Sequence, residues 1–479
     1  MGGMMTRPHK PTRMLGVLFA FALLVSACGG DSEDAGSASE TDQSDGDQGA
    51  SGTTISVPED HQTIQAAVDA AKPGDMIMIG EGTYNEAVDV ETDRLTIRGA
   101  DRNTTILDGQ FKLENGIRVL SAKGVAVENL TARNYTTNGF FWTGVDGYRG
   151  SYLTTYRNGD YGIYAFDSVN GLLEHSYGSG SPDAGVYIGQ CYPCNAVIDD
   201  FVSENNGLGY SGTNSGGNLA VVNSVFRNNR AGIVPNSGSY ELCYPERETS
   251  VIGNLVYSNN NGDTPAIDVA LLAMGNGIVV PGGVRNTIER NRVWNHTRTG
   301  IGLVPFLEED ANDNMPEASD WEQPCDEQKA KPATAPEDVE NPLLWNPQEN
   351  IVRGNVVSES GIADLGIGSV DTDLSELGNC WSNNKATTSR PKDLESLAPC
   401  DGDQVGKVAA KGWDVDELDV VSWLAEQGDQ PEPKDYKDSP EPPEQDNMPD
   451  AATAPAEPAT NMPPKVDLAS IEVPEKPVS

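Results

Sequence analysis

Positive charge is scarce in this chain. The 479 residues include 32 lysines and arginines against 73 aspartates and glutamates, which gives a formal net charge of −41. A chain of this composition offers little basic surface to a phosphate backbone, and this argues against nucleic acid as a partner. We interpret the acidity as a source of solubility, because much of the excess lies outside the repeats described below.

Histidine and long apolar segments are also scarce. The chain has four histidines and no methionine-rich run in its repeats, so a copper-handling site built from Met, His and Cys clusters is not expected. The apolar run from Met14 to Val25 is too short to remain as a membrane-spanning helix. Because basic residues precede this run and Ser26-Ala27-Cys28 follows it, the pattern is typical of a secretory signal.

The residues around Cys28 resemble the bacterial lipobox. This resemblance implies cleavage before Cys28 and lipidation of its thiol, whereas the alternative is an ordinary signal peptide with a chance cysteine. We therefore expect a signal peptide over residues 1–28 and a flexible acidic linker over 29–54, which is rich in Ser, Asp and Gly. The predicted location is the extracytoplasmic face of a membrane, at the cell surface or in the periplasm, with the lipid on Cys28 as anchor.

A glycine followed by an apolar residue recurs at a fixed interval. The interval is 23 residues at Gly116-Ile117, Gly139-Phe140, Gly162-Ile163 and Gly185-Val186, and again between Gly277-Ile278 and Gly300-Ile301. Such a period predicts stacked structural repeats. Each unit holds short β-branched segments separated by Asn, Gly, Ser and Asp clusters, with no helix-length stretch. The sequence therefore predicts a parallel β-helix of about ten coils.

Five asparagines stand at similar places in their repeats, each just before an apolar pair or triplet. Stacked asparagines can hydrogen-bond to one another and tolerate the left-handed backbone of a tight turn. We expect them to line one corner of the coils: Asn129, Asn223, Asn254, Asn291 and Asn355.

The start of the repeat region has its own order of elements. A short amphipathic helix is predicted over Thr63–Ala71, followed by Pro73-Gly74-Asp75 and by a strand at Gly82-Thr83-Tyr84-Asn85-Glu86. Together with the repeat, this order resembles the right-handed parallel β-helix (pectin-lyase-like) superfamily, including NosD-like repeat proteins. The resemblance implies an all-β, right-handed parallel β-helix solenoid with a short N-terminal capping helix. It covers residues 55–385, with an insertion at about 308–347.

The C-terminal part has a different composition. Residues 386–427 are predicted to cap the solenoid, with a helix over Trp413–Gln427 that seals the open strand edge. Residues 428–479 are rich in Pro, Glu, Asp, Ala and Lys and have few large apolar side chains. This composition predicts a disordered acidic tail.

Six cysteines remain after Cys28, and an even number in an exported protein indicates disulfides. We predict Cys380–Cys400, because both lie after the last coil. For Cys191 and Cys194 we expect a bond from one of them to Cys243 or Cys325 in preference to a redox or metal site.

Residues 23 apart should stack in neighbouring coils, which defines two columns. One column contains Phe141, Tyr164 and Tyr187, whose rings suit sugar stacking if they point outward and would form a core stack if they point inward. The other contains Asp160 and Asp183, which could bind Ca²⁺ or serve as acid and nucleophile in glycoside hydrolysis. Turn formation is the alternative role of these two aspartates.

The stretch from Tyr161 to Asp167, with His175 beyond it, resembles the Tyr, His and Asp constellation of β-helix mannuronan epimerases. The family's Asp-Pro-His run is absent, because Ser168 and Val169 follow Asp167. The resemblance implies proton transfer at C5 of a uronate. The candidate catalytic residues are Asp160, Asp167, Asp183 and His175, and the candidate substrate-binding residues are Phe141, Tyr164 and Tyr187.

Two functions remain open from the sequence. The first is a surface-anchored protein that binds or processes polysaccharide, as a lyase, glycoside hydrolase or epimerase, with Ca²⁺ as the candidate cofactor. The second is a non-catalytic β-helix protein, either an adhesin or a NosD-like maturation factor. In both cases we expect a monomer. Asp160 and Asp183 are candidates to bind Ca²⁺, and the full set of metal ligands is unknown from the sequence.

Overall fold

The computed structural model of the protein describes residues 52–308, 311, 315–330, 343–368, 374–400, 430–459, 463 and 465–477. In these residues the chain winds into three-stranded coils, and successive coils pair in parallel to form sheets of 11, 12 and 10 strands. The register advances by 23 residues per coil where the repeat is regular, since Phe140 pairs with Ile163 and Ile163 with Val186. The predicted all-β parallel β-helix is therefore confirmed.

The three sheets are numbered by their order within a coil. Sheet I contains Val88–Val90, Ile117–Leu120, Phe140–Thr143, Ile163–Phe166, Ala184–Gly189, Leu208–Thr213, Ala231–Asn236, Ile278–Pro281, Thr299–Val304, Ala363–Ile367 and Ser389–Arg390. Sheet II contains Thr54–Val57, Met76–Ile79, Thr96–Gly99, Lys123–Glu128, Asp146–Ser151, Val169–Glu174, Ala196–Asp199, Gly216–Val222, Arg247–Ile252, Thr287–Glu289, Ile351–Arg353 and Cys380–Ser382. Sheet III contains Gly82–Tyr84, Thr105–Asp108, Thr131–Arg133, Thr154–Tyr156, Tyr177–Ser179, Val202–Glu204, Val225–Arg227, Leu255–Tyr257, Arg292–His296 and Val356–Ser360. An antiparallel pair, Phe306–Glu308 with Leu343–Trp345, belongs to the insertion.

The repeated glycine stands where adjacent coils approach closely. A Cβ atom on Gly162 would lie 2.5 Å from the carbonyl oxygen of Gly185 in the next coil, so no larger residue fits without displacing the backbone. The residue after each glycine begins the inward series: Phe140, Trp142, Ile163 and Ala165 are fully buried in the core. The 23-residue periodicity of the sequence thus results from the packing of successive coils. The residues between the buried ones in each strand of sheet I face outward.

The asparagine prediction is right for three residues and wrong for two. At the corner between sheets II and III, Asn254 donates from Nδ2 to Oδ1 of Asn291, and Asn291 donates to Asn355, each at 3.0 Å. All three are fully buried. Asn129 and Asn223 instead occupy the preceding corner position, with φ of 54° and 47°. The two sites demand different properties, since one needs amide pairing and the other left-handed backbone.

Helices are few among the described residues. They are α1 (Ile64–Ala70), α2 (Asp268–Ala273), α3 (Cys325–Lys329), α4 (Leu394–Leu397) and the 3-10 turns Leu374–Leu377, Tyr436–Asp438 and Leu468–Ser470. The predicted helix near residue 63 corresponds to α1, where the Thr63 hydroxyl accepts a hydrogen bond from the Ala66 amide at 3.2 Å. None of the described helices is long and apolar enough to cross a bilayer. The predicted signal peptide with Cys28, most of the linker and the predicted helix at 413–427 lie outside the described residues.

Where the sequence predicts a disordered tail, the described residues beyond 430 lie against the coils. Arg98 of sheet II donates to the carbonyl oxygens of Ala451, Ala454 and Pro455 at 2.7–3.2 Å. Further contacts follow the tail along the solenoid through Arg102, Arg157, Arg230, Arg290 and Arg292, all of which donate to tail carbonyl oxygens. The composition argument fails because arginines of the coils bind the tail backbone, an interaction that needs few apolar side chains in the tail.

A short apolar patch adds to these contacts. Val466, Leu468 and Ile471 of the tail pack against an outward cluster on sheet II that contains Val197 and Val222. The tail therefore contributes apolar burial as well as hydrogen bonds.

The disulfides are partly as predicted. Cys380–Cys400 is confirmed. The expected bond from Cys191 or Cys194 to Cys243 or Cys325 is wrong, because Cys191 pairs with Cys194 and Cys243 pairs with Cys325. The reason is geometric: Cys191 and Cys194 enclose one tight turn, with their Cα atoms 4.9 Å apart, whereas Cys243 and Cys325 lie on two segments that meet beside sheet I.

Candidate functional site

The outer face of sheet I carries walls on two sides. On one side α2 packs its buried residues Ala270 and Ala273 against the apolar outer surface formed by Ala184, Leu208 and Ala231. On the other side the loop of residues 237–246 leaves the strand Ala231–Asn236 and returns to sheet II. We call the strip of sheet I from Phe141 towards Val304, bounded by these walls, the groove.

The predicted aromatic column lies in the groove and points outward. Phe141 pairs in register with Tyr164, and Tyr164 with Tyr187. Their ring centroids are 5.0 and 4.7 Å apart, respectively. Tyr161 joins the column from the corner beside it, with its ring stacked on Tyr164 at 4.3 Å and an interplanar angle of 8°. The column is thus a continuous aromatic stack, in which Phe141, Tyr161 and Tyr164 are half-buried and Tyr187 is buried, with 1% of its surface exposed.

Two carboxyl groups hydrogen-bond to phenols of this surface. The Tyr161 hydroxyl donates to Oδ2 of Asp183 at 2.5 Å. The Tyr187 hydroxyl lies 2.7 and 2.6 Å from the two carboxyl oxygens of Glu241, which comes from the loop of residues 237–246. Asp183 therefore does more than shape a turn, since its side chain is directed to a tyrosine of the preceding coil.

The carboxyl groups of the groove have unusual acidities. Burial raises the pKa of Asp160 to about 6. Burial, with a contribution from the charge of Asp160, raises the pKa of Asp183 to about 8, although the Tyr161 hydrogen bond opposes the rise. Burial also raises the pKa of Glu241 to about 8, where Asp183 adds to the effect. At neutral pH, Asp160 is ionised whereas Asp183 and Glu241 are mainly protonated, because like charges in a desolvated site disfavour further ionisation.

The corner that carries Asp183 is held by buried amides. The Ser181 amide donates to Oδ1 of Asn206 at 2.9 Å, and Asn206 donates from Nδ2 to Oδ1 of Asn229 at 3.1 Å. Asn206 and Asn229 are fully buried. This second ladder fixes the backbone two residues before Asp183, so the carboxyl group is directed by a rigid corner.

The loop that carries Glu241 is held by a covalent link. The disulfide Cys243–Cys325 joins it to α3 of the insertion. α3 is in turn held to the coils by an ion pair between Lys329 and Asp167. The Asn214 side chain also donates to the carbonyl oxygen of Glu241 at 2.7 Å. Glu241 is therefore positioned by contacts with several separate parts of the chain.

Two predicted catalytic residues lie apart from this cluster. His175 is at the corner between sheets II and III, where its Nδ1 is 2.7 Å from Oδ2 of Asp200. Its ring contacts that of Tyr152 at a centroid distance of 4.7 Å and an interplanar angle of 30°. The grouping of His175 with the aspartates of the groove is therefore wrong, because Asp183 lies at the next corner of the coil. Asp167 ends a sheet I strand at the opposite corner and pairs with Lys329.

Sequence reasoning missed two residues of the site. Tyr161 has a usable signal, because it follows Asp160 and precedes a repeat glycine, so its stacking beside Tyr164 follows from coil geometry. Glu241 has no such signal, since it lies 54 residues from Tyr187 in a loop outside the 23-residue register. Only the tertiary path of that loop brings it to the groove.

The sequence predicts a Ca²⁺ site at Asp160 and Asp183. Among the residues that the structure describes, no group of three or more His, Cys, Asp or Glu side chains is arranged to hold a metal ion. Ca²⁺ stays a prediction of the sequence.

Comparison with known proteins agrees with the strand topology. Residues 115–305 match the family model described as right handed beta helix region. No curated protein matches the sequence significantly.

Several solved structures resemble the chain at low sequence identity. The A-module of a mannuronan C-5 epimerase from Azotobacter vinelandii is 15% identical, with 67% of this chain and 89% of that chain covered and a TM-score of 0.42. An alginate lyase from Paenibacillus sp. is 17% identical over 52% of this chain and 90% of its own, with a TM-score of 0.37. A pectin methylesterase from Erwinia chrysanthemi is 13% identical over 65% and 89%, with a TM-score of 0.32.

Proposed function

Because the chain is a right-handed parallel β-helix with an aromatic groove on sheet I, we propose that it binds a polysaccharide along the groove and processes it by acid–base catalysis. Phe141 and Tyr164, the half-buried members of the aromatic column, support the binding part of the proposal. Accessible aromatic faces suit the apolar faces of sugar rings, and a phenol group at the edge can bond to sugar hydroxyls. Tyr187, with 1% of its surface exposed, supports the column from beneath. The parallel stack would accommodate an extended chain running from coil to coil.

The observation that carries the catalytic part is the pairing of unlike carboxyl groups beside this column. Asp160, with a pKa of about 6, is ionised at neutral pH and is suited to accept a proton. Asp183, with a pKa of about 8, is protonated at neutral pH and is suited to donate one. Environments that separate two carboxyl pKa values in this way typically assign the base and the acid of a reaction.

Glu241 supplies a positioning contact in this proposal. Its carboxyl group holds the Tyr187 hydroxyl from the loop side, so the ring is fixed at the end of the column. We assign Glu241 to holding the buried Tyr187, on which the ring of Tyr164 rests at 4.7 Å.

The first substrates to test are uronate polysaccharides, since proteins that act on mannuronan, alginate and pectin are among the structures that resemble this chain. The protein without its predicted signal and linker, residues 51–479, would be incubated with alginate, polygalacturonate and neutral glycans, with and without Ca²⁺. Reducing ends report hydrolysis, absorbance near 230 nm reports unsaturated products of a lyase, and proton NMR reports epimerisation. We expect turnover of at least one glycan with a maximum between about pH 6 and pH 8.

The same experiment distinguishes catalysis from the alternative, non-catalytic function. Retention on a glycan without turnover would indicate a non-catalytic binding or adhesive protein and remove the acid–base assignment. Neither retention nor turnover on any glycan would contradict the proposal as a whole and favour the accessory role expected of a NosD-like protein.

We also propose that the protein is exported and anchored to a membrane through lipid on Cys28. Three disulfides support an oxidising compartment. Cells producing the full chain should incorporate labelled fatty acid into it, and Cys28→Ala should remove the label and transfer the protein from the membrane to the soluble fraction. Equal labelling of both proteins would contradict the lipid attachment, since other cysteines of the chain are in disulfides.

A further inference from the structure

An apolar cavity lies on the outer side of sheet I, next to α2. It has a volume of about 80 Å³ and is lined by sheet I, by α2 and by the start of the insertion, including Val234, Val304 and Phe306. Leu272 and Tyr240 also line it, and each has 43% of its surface exposed. They are two of the three large hydrophobic residues that are exposed in the described part of the chain. The described residues therefore leave this apolar surface partly open.

The helix α2 contributes to this surface because it is apolar on nearly all sides. Of the residues Asp-Val-Ala-Leu-Leu-Ala that form it, only Asp268 is charged. Ala270 is buried against sheet I, whereas Val269 and Leu272 line the cavity. A helix that is apolar all round is usually covered on more than one side. We therefore expect α2 to have a second apolar neighbour besides sheet I.

The tail re-enters the described part of the chain beside α2. The carbonyl oxygen of Pro431 accepts a hydrogen bond from Nη1 of Arg230 at 3.1 Å. The same nitrogen lies 3.5 Å from Sδ of Met274, the residue that directly follows α2. The Lys434 amide donates to the carbonyl oxygen of Thr264, in the loop that precedes α2, at 3.2 Å. The segment before the tail therefore ends next to the helix whose apolar side is open.

Residues 401–429, which lie outside the described residues, contain an apolar segment. Its large apolar side chains recur at a spacing close to that of a helix, at Trp413, Val415, Leu418, Val421, Trp423 and Leu424. The chain from Leu424 to Gln430 can span about 20 Å at most, even when fully extended. Because Pro431 is held beside α2, the end of the apolar segment must lie within reach of the cavity.

The insertion offers no comparable occupant for the cavity. It begins there, since Phe306 and Leu307 are part of the lining. However, residues 309–314 contain no large apolar side chain, and residues 331–342 contain only Val339. The segment Trp413–Leu424 is therefore the better match to an apolar surface of this kind.

From the open apolar side of α2 and the place where the tail re-enters, we propose that the cavity is the docking site for the segment Trp413–Leu424 of the same chain. The segment covers Leu272 and Tyr240 and gives α2 its second apolar neighbour. Because α2 is one wall of the groove, docking also fixes that wall against sheet I. The segment then lies along the side of the solenoid, whereas the sequence alone predicts that it caps the C-terminal end. This docking does not depend on what the groove binds.

Photo-cross-linking in the chain of residues 51–479 tests the position of the segment. With p-benzoylphenylalanine in place of Leu272, irradiation should form a bond to residues 413–424, which trypsin releases within the peptide Gly412–Lys434. Fragmentation of the cross-linked peptide in a mass spectrometer locates the bond. The same probe in place of Thr83, which is exposed at the N-terminal end of sheet III, should form no bond to that segment.

A double-mutant cycle tests the same contact without the probe. Leu272→Asp and Leu418→Asp should each lower the melting temperature by roughly 2–4 °C, because each places a carboxylate in an apolar contact. The double variant should melt no lower than the less stable single variant, since both substitutions break one contact. Leu272→Met keeps an apolar side chain and should melt like the parent chain.

The outcomes decide between this segment and other occupants. Bonds to residues 413–424, together with losses of stability that do not add, support the docking. Bonds only to residues 430–434, to the insertion or to a second copy of the chain would overturn it, as would the absence of any bond. Additive losses of melting temperature, or no loss in Leu418→Asp, would overturn it as well. None of these results depends on whether the protein binds or processes a polysaccharide.

Discussion

Asp183→Asn should lower the turnover of the polysaccharide substrate by about 10²- to 10⁴-fold, the usual contribution of one general acid. The substitution removes the proton that Asp183 carries at neutral pH, yet the amide oxygen can still accept the Tyr161 hydrogen bond seen at 2.5 Å. Binding should therefore persist while catalysis is lost. The measurement is kcat and KM with the active glycan from the panel, together with the melting temperature.

The pH dependence of activity tests the same assignment of Asp183 as the acid. Activity should rise as Asp160 ionises near pH 6 and fall as Asp183 loses its proton near pH 8. Tyr161→Phe provides the matched variant, because the lost hydrogen bond stabilised the ionised form of Asp183. The pKa of Asp183 should rise in that variant, which shifts the alkaline limb to higher pH and leaves the acid limb in place.

Two results would remove Asp183 from the role of acid. One is Asp183→Asn with kcat unchanged, and the other is an alkaline limb that Tyr161→Phe leaves in place. A fall in kcat accompanied by a lower melting temperature would instead assign Asp183 to structure.

The second large effect concerns the tail. Arg98 and Glu128 form an ion pair at 2.7 Å whose side chains are both fully buried. Tail residues 451–455 cover it, since Arg98 donates to three of their carbonyl oxygens. In the full chain, Glu128→Gln should therefore cost about 3–5 kcal/mol of unfolding free energy, because it leaves a buried arginine without its counter-charge.

In a chain that ends at residue 429, Glu128→Gln should have a smaller effect on the free energy of unfolding. Without the tail the same ion pair is open to solvent, where such pairs contribute about 0–1 kcal/mol. Glu128→Gln should then have little effect, and the truncated protein should itself unfold at lower denaturant concentration than the full chain. Urea unfolding of the four proteins, followed by circular dichroism, measures both differences.

The control for this cycle is Arg118→Gln, since Arg118 pairs with Asp89 on an exposed part of sheet I. It should cost little in either background. Two results together would mean that the tail does not cover the coils in solution. The first is that Glu128→Gln lowers the free energy of unfolding equally with and without the tail. The second is that the full and truncated chains, without the substitution, are equally stable.

The sequence by itself determined the coil. The 23-residue glycine period follows from the close approach of successive backbones, which excludes a side chain at Gly162 whatever the rest of the chain does. Alternation within each strand then fixed which residues enter the core, and the column of Phe141, Tyr164 and Tyr187 followed from the same period. Cys380–Cys400 could be predicted because both cysteines lie in one local region.

Only the tertiary structure shows the positions of residues that do not belong to the 23-residue repeat. Glu241 reaches the groove through a loop linked to α3, and a local pattern carries no information about where such a loop returns. His175 has a plausible chemistry but stands at another corner of the coil, which only the strand path reveals. The tail appears disordered by composition, yet coil arginines bind its backbone carbonyls. These features depend on contacts between residues far apart in sequence, whereas the coil depends on a spacing repeated in every turn.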